Sequence, residues 1–344
     1  MDMNIGFADF APRNREVLSN EDGELRFTFG SGSYLVGGRL TANGHVLIGN
    51  YCSMGEGIEL KISRDHSMNY ATTYPFDVIT RAGVYRPYTE SGAAHEMIGK
   101  TKRKQIVVGS DVWLGDHVTI MGGSKIGTGA CIGTNALVSG EIPPYAVAVG
   151  VPARVIKYRF TPEIVKKLLA IKWWHWDVNK IHDNYELMKD VEAFCDKFYP
   201  EAVAKLNEES TIARDLEHLK ASGVKVYYTY ADFGRQNPTW ENVLEQFIDK
   251  YDEKSMCALI FEVVNPENNF GGLDIIVNRL KTLGARAPQV FIHSNKTEQT
   301  DIMRNMDCFI TTREPESILG VDYAWEHGAE IISGLDAGLF EERR

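Results

Sequence analysis

The chain has 344 residues, 47 acidic against 37 basic, giving a formal charge of −10, with 44% apolar and 10% aromatic side chains. These figures fit a soluble globular protein of two or three domains, and the acidic balance excludes the basic face that general nucleic-acid binding requires. No stretch reads as a signal peptide or membrane span, and Cys52, Cys131, Cys195, Cys257 and Cys308 form no CxxC, as expected of reduced thiols in a cytoplasmic protein.

In chain order, ELRFTFG at 24–30 alternates like a strand and is expected to cap the open end of the repeat segment beyond it. From Val36 every sixth residue is apolar: Val36, Ala42, Ile48, Met54, Leu60, then Val108, Leu114, Ile120, Ile126, Ile132 and Val138. Seven of these are followed at once by Gly, at 37, 49, 55, 109, 115, 127 and 133. The fourth residue after an anchor is small or branched, as at Val46, Cys52, Val112, Val118, Ser124, Ala130 and Ala136. A six-residue period fits neither an α-helix nor an isolated strand, and is the signature of a parallel β-helix. The glycines are expected to give the corners backbone freedom. Cys52, in a small inward slot, reads as structural. The register breaks between Leu60 and Val108 for an excursion over 61–107, and long ordered loops are usually functional.

After Pro143-Pro144 the chain leaves the coil, so residues 1–160 form the first domain. Thr161-Pro162-Glu163 opens a helical segment, 161–206. Over 207–344 five apolar strands, KVYYTY, CALIFEVV, QVFIHS, CFITTR and EIISGLD, alternate with helices, predicting a doubly wound α/β domain with a parallel sheet covered on both faces. Such sheets bind nucleotides or sugar nucleotides beyond their strand ends. There is no GxGxxG or P-loop, and NNFGG at 268–272 is the one phosphate-loop hint.

The pieces IGNYCSMGEGI (48–58), HSMNYATTYPF (66–76), IVVGSDVWLGDHVTIMGGSKIGTGACIGTNALV (106–138), IPPYAVAVGVPARVIKYRF (142–160) and WWHW (173–176) together resemble the hexapeptide acyltransferases. Within them the likeness is to the xenobiotic acetyltransferase branch, which includes type B chloramphenicol acetyltransferases and polysaccharide O-acetyltransferases. It covers roughly 36–180 and says nothing of 207–344. The resemblance implies a left-handed β-helix of triangular section, a homotrimer with active sites between subunits, acetyl-CoA as cosubstrate and no metal. It makes His66 in the excursion the catalytic base, followed by the stretch Thr72-Thr73-Tyr74-Pro75-Phe76, with Asn69 and Tyr74 toward the substrate. It places Trp113 by the acyl-CoA, Arg154 and Lys157 on coenzyme A phosphates, and Thr134 and Ser139 on the coil edge. The chain departs from the pattern at Asn69, where the family has an acid, and at Ser139-Gly140, where many members have Thr-Lys.

An imidazole with an ordinary pKa near 6.5 suits removal of a hydroxyl proton at neutral pH. The N–H groups around Gly122-Gly123-Ser124 are the expected oxyanion site. The basic run Lys100, Lys102, Arg103 and Lys104 reads as a solvated face. The added C-terminal block is expected to recognise a glycan or lipid-linked sugar. Three alternatives remain: N-acetylation of an amino sugar or O-acetylation of an antibiotic; a non-catalytic trimeric scaffold; and a zinc hydratase on the same coil, for which His45 and His117 lack the paired spacing.

Overall fold

The computed structural model describes residues 2–7, 15–18, 25–41, 44–62, 71–74, 103–204, 210–235, 238–268 and 271–341. β1 (Asp2–Phe7) and β2 (Arg15–Leu18) lead into a three-sided coil with one short strand per side. The first face stacks β3 (Leu25–Phe29), β5 (His45–Ile48), β8 (Gln105–Val108), β11 (Lys125–Ile126) and β14 (Glu141–Ile142). The second stacks the start of β4 (Tyr34–Thr41) with β6 (Ser53–Met54), β9 (Trp113–Leu114), β12 (Cys131–Ile132) and β15 (Ala146–Val149). The third stacks the rest of β4 with β7 (Ile58–Lys61), β10 (Thr119–Met121) and β13 (Leu137–Val138). Val108 pairs in parallel with Ile126, eighteen residues on, so each coil is three hexads. Ile48 pairs with Val108, sixty residues on, which measures the excursion inserted into one otherwise regular coil.

The anchors from Ile48 to Val138 are buried along one continuous interior, and the small residues between them fill its slots. Two expectations fail at the start. Val36 points outward, and Leu35, not Val36, pairs with Met54. Leu40 pairs with Leu60, twenty residues apart, so the first coil is longer than the others and counting back by sixes falls short of the true partner. Ala42 lies outside the described residues. ELRFTFG is no external cap either, since β3 is the first rung of the first face, parallel to β5.

The glycines do a different job from the one expected. Those after the anchors have ordinary φ, and a Cβ on Gly49 would lie 2.4 Å from Ser110 N in the next coil. On Gly127 it would lie 2.4 Å from Pro144 N. Apart from Gly37, where a Cβ would come no closer than 4.0 Å to Glu56, they are needed because stacked corners nearly touch. The left-handed backbone falls two residues later, on Tyr51, Asp111, His117 and Asn135. Cys52 is fully buried and its thiol is pushed up to about 12 by desolvation, so it is structural.

β16 (Arg154–Tyr158) folds back antiparallel on β15. Thr161 then caps α1 (Pro162–Ile171), its side chain accepting from Ile164 N–H. The segment continues through a 3₁₀ turn at Trp173–His175 to α2 (Val178–Asn184) and α3 (Val191–Ala204).

The C-terminal sheet is parallel, in the order β19 (Gln289–His293), β18 (Cys257–Val263), β17 (Lys225–Ala231), β20 (Cys308–Thr311), β21 (Glu330–Ser333). Alternate residues of its strands feed two cores. Tyr228, Tyr230 and Phe309 meet α4 (Thr211–Ala221), α7 (Gln299–Asn305) and α8 (Ser317–His327). Tyr227, Phe261 and Ile310 meet α5 (Thr239–Lys250) and α6 (Gly272–Leu283). Gly272, from the NNFGG stretch, has a packing reason: a Cβ would sit 2.2 Å from the Phe233 ring.

This domain is built onto the coil. Leu47 and Val107, outward residues of the first face, are buried within the core of Tyr228 and Phe309. The carboxyl ends of β20 and β21 press against the same face. Thr28 Oγ1 donates to Arg313 O at 2.6 Å, Gln105 Nε2 to Thr312 O at 2.9 Å, and Lys104 N–H to Asp336 Oδ1 at 2.6 Å. Where the β17 and β20 ends would open a crevice for a nucleotide, Arg235 pairs with Glu314 and Asp232. The coil covers the adjacent strand end.

His45 lies inside this junction between Thr28 and Gln105. Thr28 gives its proton to Arg313 O, so His45 Nε2–H donates to Thr28 and Nδ1 accepts from the Gln105 amide. Burial lowers the His45 pKa well below 6.5, aided by Arg313, Arg235 and Arg26. A depressed imidazole pKa contributes stability that is complete above the unfolded value and is lost as pH falls beneath it, because only the unfolded chain takes up the proton. Unfolding free energy is expected to drop by about 1.4 kcal/mol per pH unit below roughly 6.5 from this group alone. Urea titrations at pH 7.5 and 5.5 check this, with His45→Gln showing a smaller drop.

Candidate active site

Lateral pairing lines up one outward row on the second face: Tyr34, Ser53, Trp113, Cys131, Val147 and Lys157. Trp113 is 55% exposed although it is a tryptophan in a β-ladder. It stands three strands from Lys157, or about 14 Å at ordinary strand spacing. Arg154 sits beside Val149 on the same added strand, and every residue of that strand is exposed. The strand RVIKY has two cations and no carboxylate. In it and just before it Val149, Val151, Val155, Ile156 and Tyr158 are exposed apolar side chains. Arg154 and Lys157 stand beside the outward Val149 and Val147, so exposed Trp113 and positive charge share the second face, while Val155 and Tyr158, opposite the inward Ala148 and Ala146, point to its other side.

The other expected residues lie elsewhere. Thr134 is exposed at the corner between the second and third faces, stacked on Gly115. Ser124 and Ser139 lie at the corner between the third and first faces. Ser139 is exposed, whereas Ser124 is buried, its hydroxyl donating to Val138 O and accepting from Gly140 N–H. The expected oxyanion donors are all committed within the coil: Gly122 N–H to Lys61 O, Gly123 N–H to Gln105 O, and Ser124 N–H to Met121 O. That assignment is corrected, because no N–H in the group is left to meet a developing oxyanion. Tyr74 is exposed, with its N–H on Thr72 Oγ1. His66, Asn69, Pro75, Phe76, Lys100 and Lys102 lie outside the described residues. The excursion leaves the coil after Ile62 and rejoins it at Arg103, and both ends meet Gly122 at the third corner.

Asp322 on α8 carried no signal in the sequence. Its buried carboxylate accepts from Ser110 Oγ at 3.0 Å, Thr128 Oγ1 at 2.8 Å, Trp174 Nε1 at 2.9 Å and His175 Nε2 at 2.8 Å. One oxygen pair thus holds together the coil, the WWHW turn and the C-terminal domain. Beside it Lys172 pairs with Glu326 and lies over the Tyr323 ring. Among the described residues, no group of three or more His, Cys, Asp and Glu side chains is arranged to hold a metal, and no helix is long and apolar enough to cross a membrane.

The family profile described as bacterial transferase hexapeptide (six repeats) matches residues 105–140. The chain is 35% identical to a probable macrolide acetyltransferase of Lysinibacillus sphaericus over 149 residues, 42% of this chain and 76% of the relative. It is 36% identical to a chloramphenicol acetyltransferase of Klebsiella aerogenes over 138 residues, 40% of this chain and 62% of that enzyme, so it spans under two thirds of the latter's length. A galactoside O-acetyltransferase of Escherichia coli K12 is 36% identical over 91 residues, 26% of this chain and 45% of the relative. With its stacked hexads and this likeness, the chain belongs to the hexapeptide-repeat acetyltransferases, a family of acetyl-CoA-dependent enzymes, close to the type B chloramphenicol and macrolide acetyltransferases.

Proposed function

We propose that the protein transfers acetyl from acetyl-CoA to a hydroxyl of a sugar or cell-surface polysaccharide precursor, with His66 as general base. The acceptor oxygen attacks the thioester carbonyl as imidazole removes its proton. The tetrahedral adduct then collapses, the C–S bond breaks, and the imidazolium returns the proton to the departing thiolate. A thioester is already activated, so no acyl-enzyme is required.

The observation that carries this reading is the second-face row, where exposed Trp113 runs toward Lys157 and Arg154 without an intervening carboxylate. A long, partly apolar cofactor with several phosphates needs such a surface, since charge-assisted bonds to its phosphates must be made on an acidic protein. One prism cannot bring this face to its own third corner, where the excursion is rooted. A left-handed coil assembled as a threefold ring can, because each heterologous contact sets one copy's corner against the next copy's face. The exposed apolar side chains between Val149 and Tyr158 favour such burial.

Thiol release from acetyl-CoA with sugar acceptors, and with chloramphenicol and a macrolide as controls, tests the proposal. Mass spectrometry of the product separates ester from amide. Sugar-dependent release with an ester product is expected. Transfer to the antibiotics alone would make the acceptor an antibiotic, and failure to bind acetyl-CoA would leave the scaffold reading.

A further inference from the structure

Between the lower coils of the first face and the C-terminal domain the two surfaces diverge into a wedge of about 890 Å³. Its coil wall presents Arg103, Lys125 and Glu141, and its domain wall Lys250, Asp336 and Glu341. We propose that this wedge is the acceptor pocket and that it takes an uncharged polyhydroxylated ligand, a sugar unit. The assignment rests on the acetyl-transfer reading above.

Charge decides first against the cofactor. Three cations face three carboxylates, both signs stand on both walls, and Lys125 is held 3.7 Å from Glu141. A multiply anionic cofactor selects excess positive charge, as on the exposed strand RVIKY, and gains nothing from a balanced site. Sugar hydroxyls donate and accept at once, so alternating carboxylates and ammonium or guanidinium groups bind them from both sides. No aromatic ring lines the wedge among the described residues, so a flat ligand has nothing to stack on.

The wedge is also built. Its domain wall is the turn after β21, which α5 holds from behind: Asn242 Nδ2 donates to Gly334 O at 2.5 Å and Gln246 Nε2 to Asp336 O at 3.0 Å. From the front, Lys104 N–H donates to the Asp336 carboxylate, tying the wall to the residue at which the excursion has just rejoined the coil. Gly123, Ser124 and Gly140 floor the wedge at the corner where that excursion is rooted. Interdomain clefts of this size are where ligands of a few rings are usually held. The domain wall is formed by residues of the C-terminal domain, from Lys250 to Glu341, so the pocket gives that domain a direct part in acceptor choice.

The test uses the full chain with three probes: p-nitrophenyl β-galactoside, β-glucoside and N-acetyl-β-glucosaminide. Lys250→Glu and Glu341→Lys reverse one exposed charge each on the domain wall. Wild type is expected to bind at least one probe, and each variant to raise its Kd and KM by about tenfold or more, the loss of one or two charged hydrogen bonds. KM for acetyl-CoA should stay within about twofold and the thermal midpoint should hold. Octyl glycosides of the same sugars form a second arm, tighter binding of these marking a lipid-linked acceptor. Probe affinity unchanged in both variants, acetyl-CoA KM rising in place of it, or no probe bound at all overturns the pocket. If acetyl-CoA itself is not bound, the underlying reading falls, and probe binding still reports on the wedge alone.

Discussion

Replacing His66 by Ala is expected to lower acetyl transfer by about 10²- to 10⁴-fold, the usual contribution of a positioned general base. The loss should fall on kcat, with KM for acetyl-CoA little changed, because the imidazole acts on the acceptor proton and not on the thioester's binding surface. In wild type kcat/KM should fall on the acid side as the base takes up its proton, and that limb should vanish in the variant. A steady-state pH profile of both proteins measures this. Undiminished turnover in His66→Ala would remove the base from the mechanism.

Cutting the chain after residue 206 is expected to cost the coil its folded state, not merely its acceptor. The cut would bare Leu47 and Val107, which are buried against the C-terminal core, and would take Asp322 away from Ser110, Thr128, Trp174 and His175. A fragment of 1–206 should therefore aggregate or unfold at ordinary temperature. The same junction can be probed in the full chain. Asp322→Ala leaves three buried donors, Ser110, Thr128 and Trp174, and the more exposed His175 without their acceptor and should lower stability by about 3–5 kcal/mol, as breaking a buried charged network does. Asp322→Asn keeps the shape but turns an NH₂ toward other donors, so it should rescue only part. Urea denaturation of the three full-length proteins, with the fragment alongside, decides it. A soluble fragment with wild-type midpoint would show the domain to be a mere passenger.

Much of this architecture was legible because its causes are local and repeated. An inward residue every sixth position, with a small one four later, is forced by a three-sided coil, and nine anchors from Ile48 to Val138 obey it. The rule failed at Val36 because the first coil carries additional residues, and a count by sixes cannot see an insertion near its own end. The glycines were legible as corner residues but not in their cause. Close approach between coils is a contact about one coil away in sequence, seventeen residues for Gly127 and Pro144, whereas the left-handed positions went to Asp111, His117 and Asn135, types that favour such backbone, and to Tyr51, which does not. The strands and helices of the C-terminal sheet could be read from apolar runs, but its docking could not. One local trace was present: HVLI and QIVV are apolar at Leu47 and Val107, outward positions that a free face would keep polar, and all eight residues are buried. Asp322 left no trace, since an aspartate in VDYAWEH reads as the wet side of a helix until three other segments close over it. The expected site residues that are described fall on separate surfaces of one prism, as the proposed site shared between copies requires.

Subunit complementation tests the central claim most directly. His66→Ala lacks the base, and the double variant Arg154→Glu, Lys157→Glu lacks the cofactor surface. If each site takes its imidazole from one copy and its coenzyme A face from the next, co-assembled mixtures of the two inactive proteins should recover about a quarter of wild-type turnover, the share of interfaces that are intact on both sides under random mixing. Mixed assemblies that form and stay inactive would contradict a site shared between copies.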